Sequence, residues 1–124
     1  MAIRRKQAGS VVVLYPKGSF FGDQETDEFQ KALTDEAAGG NTQLILNMVE
    51  CQALNSIAIG VLMRGYSNYK GRDGQIKLCC LGKRLHDLFT MTKLIMVFDH
   101  HETEEQALAA FGGDPGSAGG GVRR

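Results

Sequence analysis

Three groups of residues in the 124-residue chain carry side chains capable of chemistry. His100-His101 with Glu102 and Glu104 is rich in metal-ligand types, but adjacent histidines before a helix converge poorly on one ion, and no helical i, i+4 histidine pair is present. The expectation is a solvated loop and no metal, with His86 beside Asp87 a surface histidine. Cys51, Cys79 and Cys80 offer thiols. Their odd number and the lack of a C-x-x-C spacing argue against a disulfide framework or a zinc site. In a strand, Cys79 and Cys80 would point to opposite faces, and all three read as reduced, buried small hydrophobes. The third group is Leu54-Asn55-Ser56-Ile57-Ala58-Ile59-Gly60, where the chain passes from the loop after a central strand into a helix. In open α/β sheets ligands gather at such carboxyl ends. Asn55 or Ser56 there also serves as an N-cap, a role that contributes about 0.5–2 kcal/mol.

Catalytic machinery is not visible. Neither G-x-x-x-x-G-K-[ST] nor G-x-G-x-x-G follows a strand, and Gly82-Lys83 is only a fragment of a phosphate loop. No G-x-S-x-G elbow surrounds any serine, and no cysteine has a histidine partner in sequence. The chain reads as a non-enzyme without a cofactor.

Composition narrows the partners. Fourteen basic residues balance fourteen acidic ones, so the electrostatic footprint of nucleic-acid or anionic-membrane binding is missing. No apolar run approaches the roughly 18 residues that span a bilayer, and Met1-Ala2-Ile3-Arg4-Arg5-Lys6 lacks the apolar stretch of a signal peptide. The expected location is cytoplasmic.

The elements that must position these groups follow from periodicity. Ile3 to Gln7 and Val11 to Tyr15 read as two strands joined by the Gly9-Ser10 turn, the second buried on both faces. A helix follows from Asp23, with acids in its first turn and Phe29, Ala32, Leu33 and Ala37 on one face, until Gly39-Gly40 stop it. Leu44-Ile45-Leu46 reads as a central strand, Val49 to Leu54 as irregular. A second helix spans about Ser56 to Tyr69, with an inward stripe of Ile57, Ala58, Val61, Leu62, Gly65, Tyr66 and Tyr69. Then come a strand from Gln75 to Leu81, a short helix through Leu85, Leu88 and Phe89, a last strand Ile95-Met96-Val97-Phe98, and a final helix opened by Thr103 and Gln106 as a capping box. The order ββαβαβαβα predicts an α/β fold, a mixed β-sheet with helices packed on it, over residues 1–111. Residues 112–124, rich in glycine, form a flexible tail.

Several stretches together resemble the STAS domains of bacterial anti-sigma factor antagonists. Leu44-Ile45-Leu46-Asn47-Met48, a hydrophobic strand ending in Asn, is followed by Leu54 to Leu62, which looks like the family's Asp-Ser-Ser/Thr-Gly-Leu-Gly helix start. Lys83 to Met91 and Glu104 to Leu108 resemble its third and last helices in register. The likeness covers roughly residues 3 to 111. Asn55 stands where the family has Asp, Ile57 where it has Ser or Thr, and Ala58 where it has Gly; Gly18-Ser19-Phe20-Phe21 lacks an expected acid.

The resemblance implies a protein-binding regulatory module in which Ser56 is phosphorylated by a partner that is both serine kinase and anti-sigma factor. The expected docking surface comprises Asn55, Ser56, Ile57, Ile59 and Met63, the last two lying at the edge of the second helix's apolar arc. The departures leave open an alternative: a non-phosphorylated STAS adaptor or scaffold subunit of a signalling assembly or transporter, binding some other STAS-binding protein. Self-association as a homo-oligomer is left open.

Overall fold

The protein was described through a computed structural model covering residues 3–112. Five strands form one sheet: β1 (Ile3–Ala8), β2 (Val11–Pro16), β4 (Gln43–Asn47), β6 (Gln75–Cys79) and β7 (Asp99–His101), in the order β1-β2-β4-β6-β7. β1 runs antiparallel to β2, and every other neighbouring pair is parallel. A second ribbon pairs β3 (Gly18–Phe20) with β5 (Cys51–Leu54) in parallel. The helices are α1 (Gln24–Ala38), α2 (Ser56–Lys70), α3 (Lys83–Met91) and α4 (Glu104–Phe111).

The central strands divide the core by strict alternation. Val12 and Leu14 of β2, Leu44 and Leu46 of β4, and Ile76 and Leu78 of β6 pack with Phe29 and Leu33 of α1, Val61 and Leu62 of α2, and Leu85 and Phe89 of α3. Val11, Val13, Tyr15, Ile45 and Cys79 face the other way, against Ala107 of α4. β2 is therefore buried throughout its length, as its β-branched run predicts. Each fully buried side chain of this kind contributes about 1.5–3 kcal/mol. α1 and α2 approach closely because Gly65 has no side chain: a β-carbon there would lie 3.0 Å from Leu33 Cδ1.

Several elements differ from the sequence expectation. Leu94–Met96 is a 3-10 turn, and the last strand is the polar Asp99–His101. The run Leu94 to Phe98 buries only its ends at i and i+4, Leu94 and Phe98, while Met96 is 82% exposed, which is helical spacing rather than strand alternation. His100 and His101 consequently lie in an edge strand, not a loop. The stretch expected to be irregular contains β5, and β6 ends at Cys79 instead of Leu81. Ile57 does not join the inward stripe of α2; it is 55% exposed. Cys80 has a left-handed backbone, φ 63°, which turns its side chain onto the same cluster as Cys79 rather than the opposite face. The glycine-rich tail beyond Gly112 lies outside the described residues.

Candidate functional site

α2 begins at the carboxyl end of the sheet, and a single side chain builds its entrance. Asn55 accepts from the backbone N–H groups of Ile57 and Ala58, both at 3.1 Å, through Oδ1. Two of the helix's orphan donors are thereby satisfied. Its Nδ2 donates to the Phe21 carbonyl at 2.9 Å, and its own N–H donates to Phe20 O at 3.1 Å. Asn55 thus ties the exit of β3 to the start of α2. An aspartate could make the cap but not the donation to Phe21.

Ser56 is the first residue of α2 and is exposed. The first turn of this helix carries no acidic residue, so its N-terminal partial positive charge is uncompensated from within. Ile57 stands beside it. The loop after β3 presses on Ile57 so closely that a β-carbon on Gly22 would come within 2.7 Å of Ile57 Cδ1. Gly22 also has φ +92°, a conformation that favours glycine. Phe21, 52% exposed, sits on the same loop, so Phe21 and Ile57 form a partly exposed apolar rim at the α2 entrance. Phe20, its neighbour, is fully buried against Phe29 at a ring distance of 5.5 Å. The Phe20-Phe21 alternation was the sequence signal for an outward Phe21.

The five residues expected to dock a partner separate into two groups. Asn55, Ser56 and Ile57 come together at the entrance. Ile59 and Met63 lie further along α2, half-buried against the main core cluster. The arc they extend is therefore partly covered from within.

A second polar constellation, not anticipated from sequence, occupies the other face at the same end of the sheet. Glu104 Oε1 accepts from Tyr15 Oη at 2.6 Å and from Asn47 Nδ2 at 3.0 Å, while Oε2 pairs with Lys6. Burial alone would raise the Glu104 carboxyl, but donation from Lys6, Tyr15 and Asn47 holds it below its ordinary value. Burial pushes the Tyr15 phenol up, and its bond to Glu104 adds to this. This cluster locks β1, β2, β4 and α4 together and is fully paired.

The two histidines of β7 have different neighbours. His101 Nε2 lies 3.2 Å from Asp99 Oδ2, whereas His100 faces the His86 ring at 6.0 Å. Among the described residues no group of three or more His, Cys, Asp or Glu could hold a metal ion, and no helix is long and apolar enough to cross a membrane.

A mixed sheet with three helices on one face and one on the other is the architecture of the STAS fold. The STAS domain family model matches residues 2–107, and the chain belongs to that family. Solved structures with the same fold include an anti-sigma factor antagonist from Mycobacterium paratuberculosis, at 19% identity and TM-score 0.77, covering 87% of this chain and 91% of that one. An anti-sigma-factor antagonist (STAS) domain protein from Planctomyces limnophilus matches at 20% identity and TM-score 0.74, over 87% and 96%. The Bacillus cell fate determinant SpoIIAA in its phosphorylated form matches at 16% identity and TM-score 0.69, over 89% and 99%.

Proposed function

We propose that this STAS domain is a cytoplasmic protein-binding regulator of the anti-sigma factor antagonist type, docking an anti-sigma factor with serine kinase activity through the entrance of α2, and that phosphate on Ser56 controls the docking. The observation that carries this reading is an exposed serine at a capped helix N-terminus without acidic residues, rimmed by Phe21 and Ile57. The fold likeness to SpoIIAA, solved in a phosphorylated form, supports it.

The physics gives the direction of the switch. A phosphate adds about −1.5 to −2 charge, which the α2 dipole favours by roughly 0.3–1 kcal/mol in the free domain. The fold is therefore retained. In a close interface the same charge is desolvated or faces other charge, at a cost of several kcal/mol, where about 1.4 kcal/mol is a tenfold change in affinity. Phosphorylation releases the partner.

Asn55 and Ile57 support a second reading, a constitutive adaptor or scaffold subunit. Asn55 contributes no acid, and the Ile57 side chain stands beside the hydroxyl that a kinase would have to reach. Mass spectrometry of a tagged copy from its own cells separates the two. Phosphate on Ser56, with a kinase lost from the recovered proteins in Ser56→Asp and kept in Ser56→Ala, is the result expected of the switch. An unmodified Ser56, with the same partners held by both variants, overturns the switch and leaves the adaptor.

A further inference from the structure

β6 delivers two thiols to one place. Cys79 is fully buried, Cys80 is half-buried, and neither is in a disulfide. Adjacent residues of a strand present their side chains to opposite faces, but the strand ends at Cys79 and Cys80 has φ 63°. That left-handed conformation is uncommon for any residue other than glycine. It brings Cys80 onto the cluster formed by Val11, Val13, Tyr15, Ile45, Cys79 and Ala107, so that both cysteine side chains pack on one face of the sheet. The backbone around the pair is held at both residues: Cys79 O accepts from Met48 N at 2.9 Å, and Cys80 N donates to His101 O at 3.2 Å.

We infer that Cys79 and Cys80 form a reversible disulfide between neighbouring residues, making the carboxyl end of β6 a redox-modifiable site. The oxidant is a small disulfide such as oxidised glutathione. The more exposed Cys80, as thiolate, attacks one sulfur of the oxidant, forming a mixed disulfide and expelling one small thiolate. Cys79 then attacks the Cys80 sulfur, its proton passing to the departing small thiolate, so that the protein disulfide forms and the second small thiol leaves. Two protein thiols are oxidised, and one small disulfide is reduced to two thiols.

Two features set the behaviour of the product. Neighbouring α-carbons across a trans peptide stand about 3.8 Å apart, short of the roughly 4.4–6.8 Å usual in disulfides, so the closed ring is strained and easily reduced. Burial also raises the Cys79 thiol, with Cys80 beside it adding to the shift, which slows the second step. Oxidation is therefore slow to form and quick to reverse. Cys51 takes no part: it is buried, its thiol is pushed up to about 12 by burial, and it belongs to the cluster on the opposite face of the sheet.

The test treats the folded full-length chain with oxidised glutathione, quenches in acid, alkylates free thiols after unfolding, and digests with trypsin. The expected product is the fragment Leu78–Lys83 two hydrogens lighter and unalkylated, with Cys51 alkylated, the chain monomeric on a non-reducing gel, and full alkylation restored by dithiothreitol. Cys80→Ser, at the half-exposed position, should fold and abolish the lighter fragment; Cys51→Ala should keep it. A glutathione adduct persisting on Cys80 with Cys79 alkylated, a disulfide to Cys51, or a cross-linked dimer would each overturn the inference.

Discussion

Asn47 Nδ2 donates to Glu104 Oε1 at 3.0 Å across 57 residues of sequence, joining the last residue of β4 to the first of α4. Asn47 is 6% exposed, one of few buried polar residues. Its Oδ1 accepts from Val49 N at 3.0 Å, which shapes the turn out of β4. Both ends of this amide are thus used, as burial requires.

Replacing Glu104 with Gln tests this junction. The Lys6 ion pair and the charge-assisted bonds from Tyr15 and Asn47 are lost, at a cost of about 1–2 kcal/mol after allowance for the solvent exposure of Lys6. The folded-state Glu104 carboxyl lies below its ordinary value of 4.5. Its contribution is therefore complete above that value and disappears as pH falls through the lower, folded-state value. Urea unfolding of Glu104→Gln should show a lower midpoint at pH 7 and a shallower loss of stability on acidification. A pH dependence unchanged from wild type would contradict the assignment.

The main strands and helices were legible in the sequence, because β2 and β4 are continuous apolar runs buried on both faces and α1 and α2 each bury one apolar stripe. What escaped was set by partners distant in sequence. β3 and β5 are three and four residues long and exist as strands only because they pair with each other. Ile95 to Phe98 has strand composition but turns, and the edge position beside β6 falls to Asp99–His101, whose polar side chains suit an exposed edge. At the candidate site, Ser56 and its cap were legible from the Asn-Ser pair opening an apolar helix. The outward turn of Ile57 was not, because Ile57, Ala58 and Ile59 open the helix as one apolar run with no polar residue to show which of them faces out. The Glu104 cluster left no local signal, since its members come from four elements.

Asn55 discriminates capping from charge. Asn55→Ala loses the bonds to Ile57 N and Ala58 N and should cost about 1–2 kcal/mol. Asn55→Asp restores the cap and gains from the helix dipole, but sets a carboxylate oxygen against the Phe21 carbonyl where an N–H had donated. Its loss in urea unfolding should be less than half that of Asn55→Ala. Equal losses would mean that the Phe21 bond, not the cap, is what Asn55 supplies.

Gly22 and Ile57 form a coupled pair. Gly22→Ala meets a left-handed φ and an overlap with Ile57 at 2.7 Å, and should destabilise by about 1–3 kcal/mol. Ile57→Ala, at an exposed position, should change stability by less than about 0.5 kcal/mol. In Gly22→Ala/Ile57→Ala the overlap disappears while the backbone strain stays, so part of the loss should return. Strict additivity across this double-mutant cycle would rule out the contact as the constraint.

Lys77 makes the last case, because it places an ammonium group in the sheet. Its side chain is 7% exposed, and its Nζ sits 2.5 Å from Asp99 Oδ2 and 4.8 Å from the Phe111 ring centre. Burial alone would raise Asp99, but donation from Lys77 and His101 brings its carboxyl below the usual value, so the pair's contribution is present at neutral pH and lost on acidification. Removing only the acid strands a buried cation, and Asp99→Ala should lose about 1–3 kcal/mol, a figure reduced because Asp99 itself is 54% exposed. Lys77→Met instead removes the charge, keeps a long flexible chain over Phe111, and leaves Asp99 free to be solvated. It should be neutral or up to about 2 kcal/mol more stable. Thermal melts of the two single variants decide the matter: the asymmetry, with Asp99→Ala low and Lys77→Met level or high, marks a desolvated cation held by its partner. Equal losses would instead make the ion pair a net source of stability.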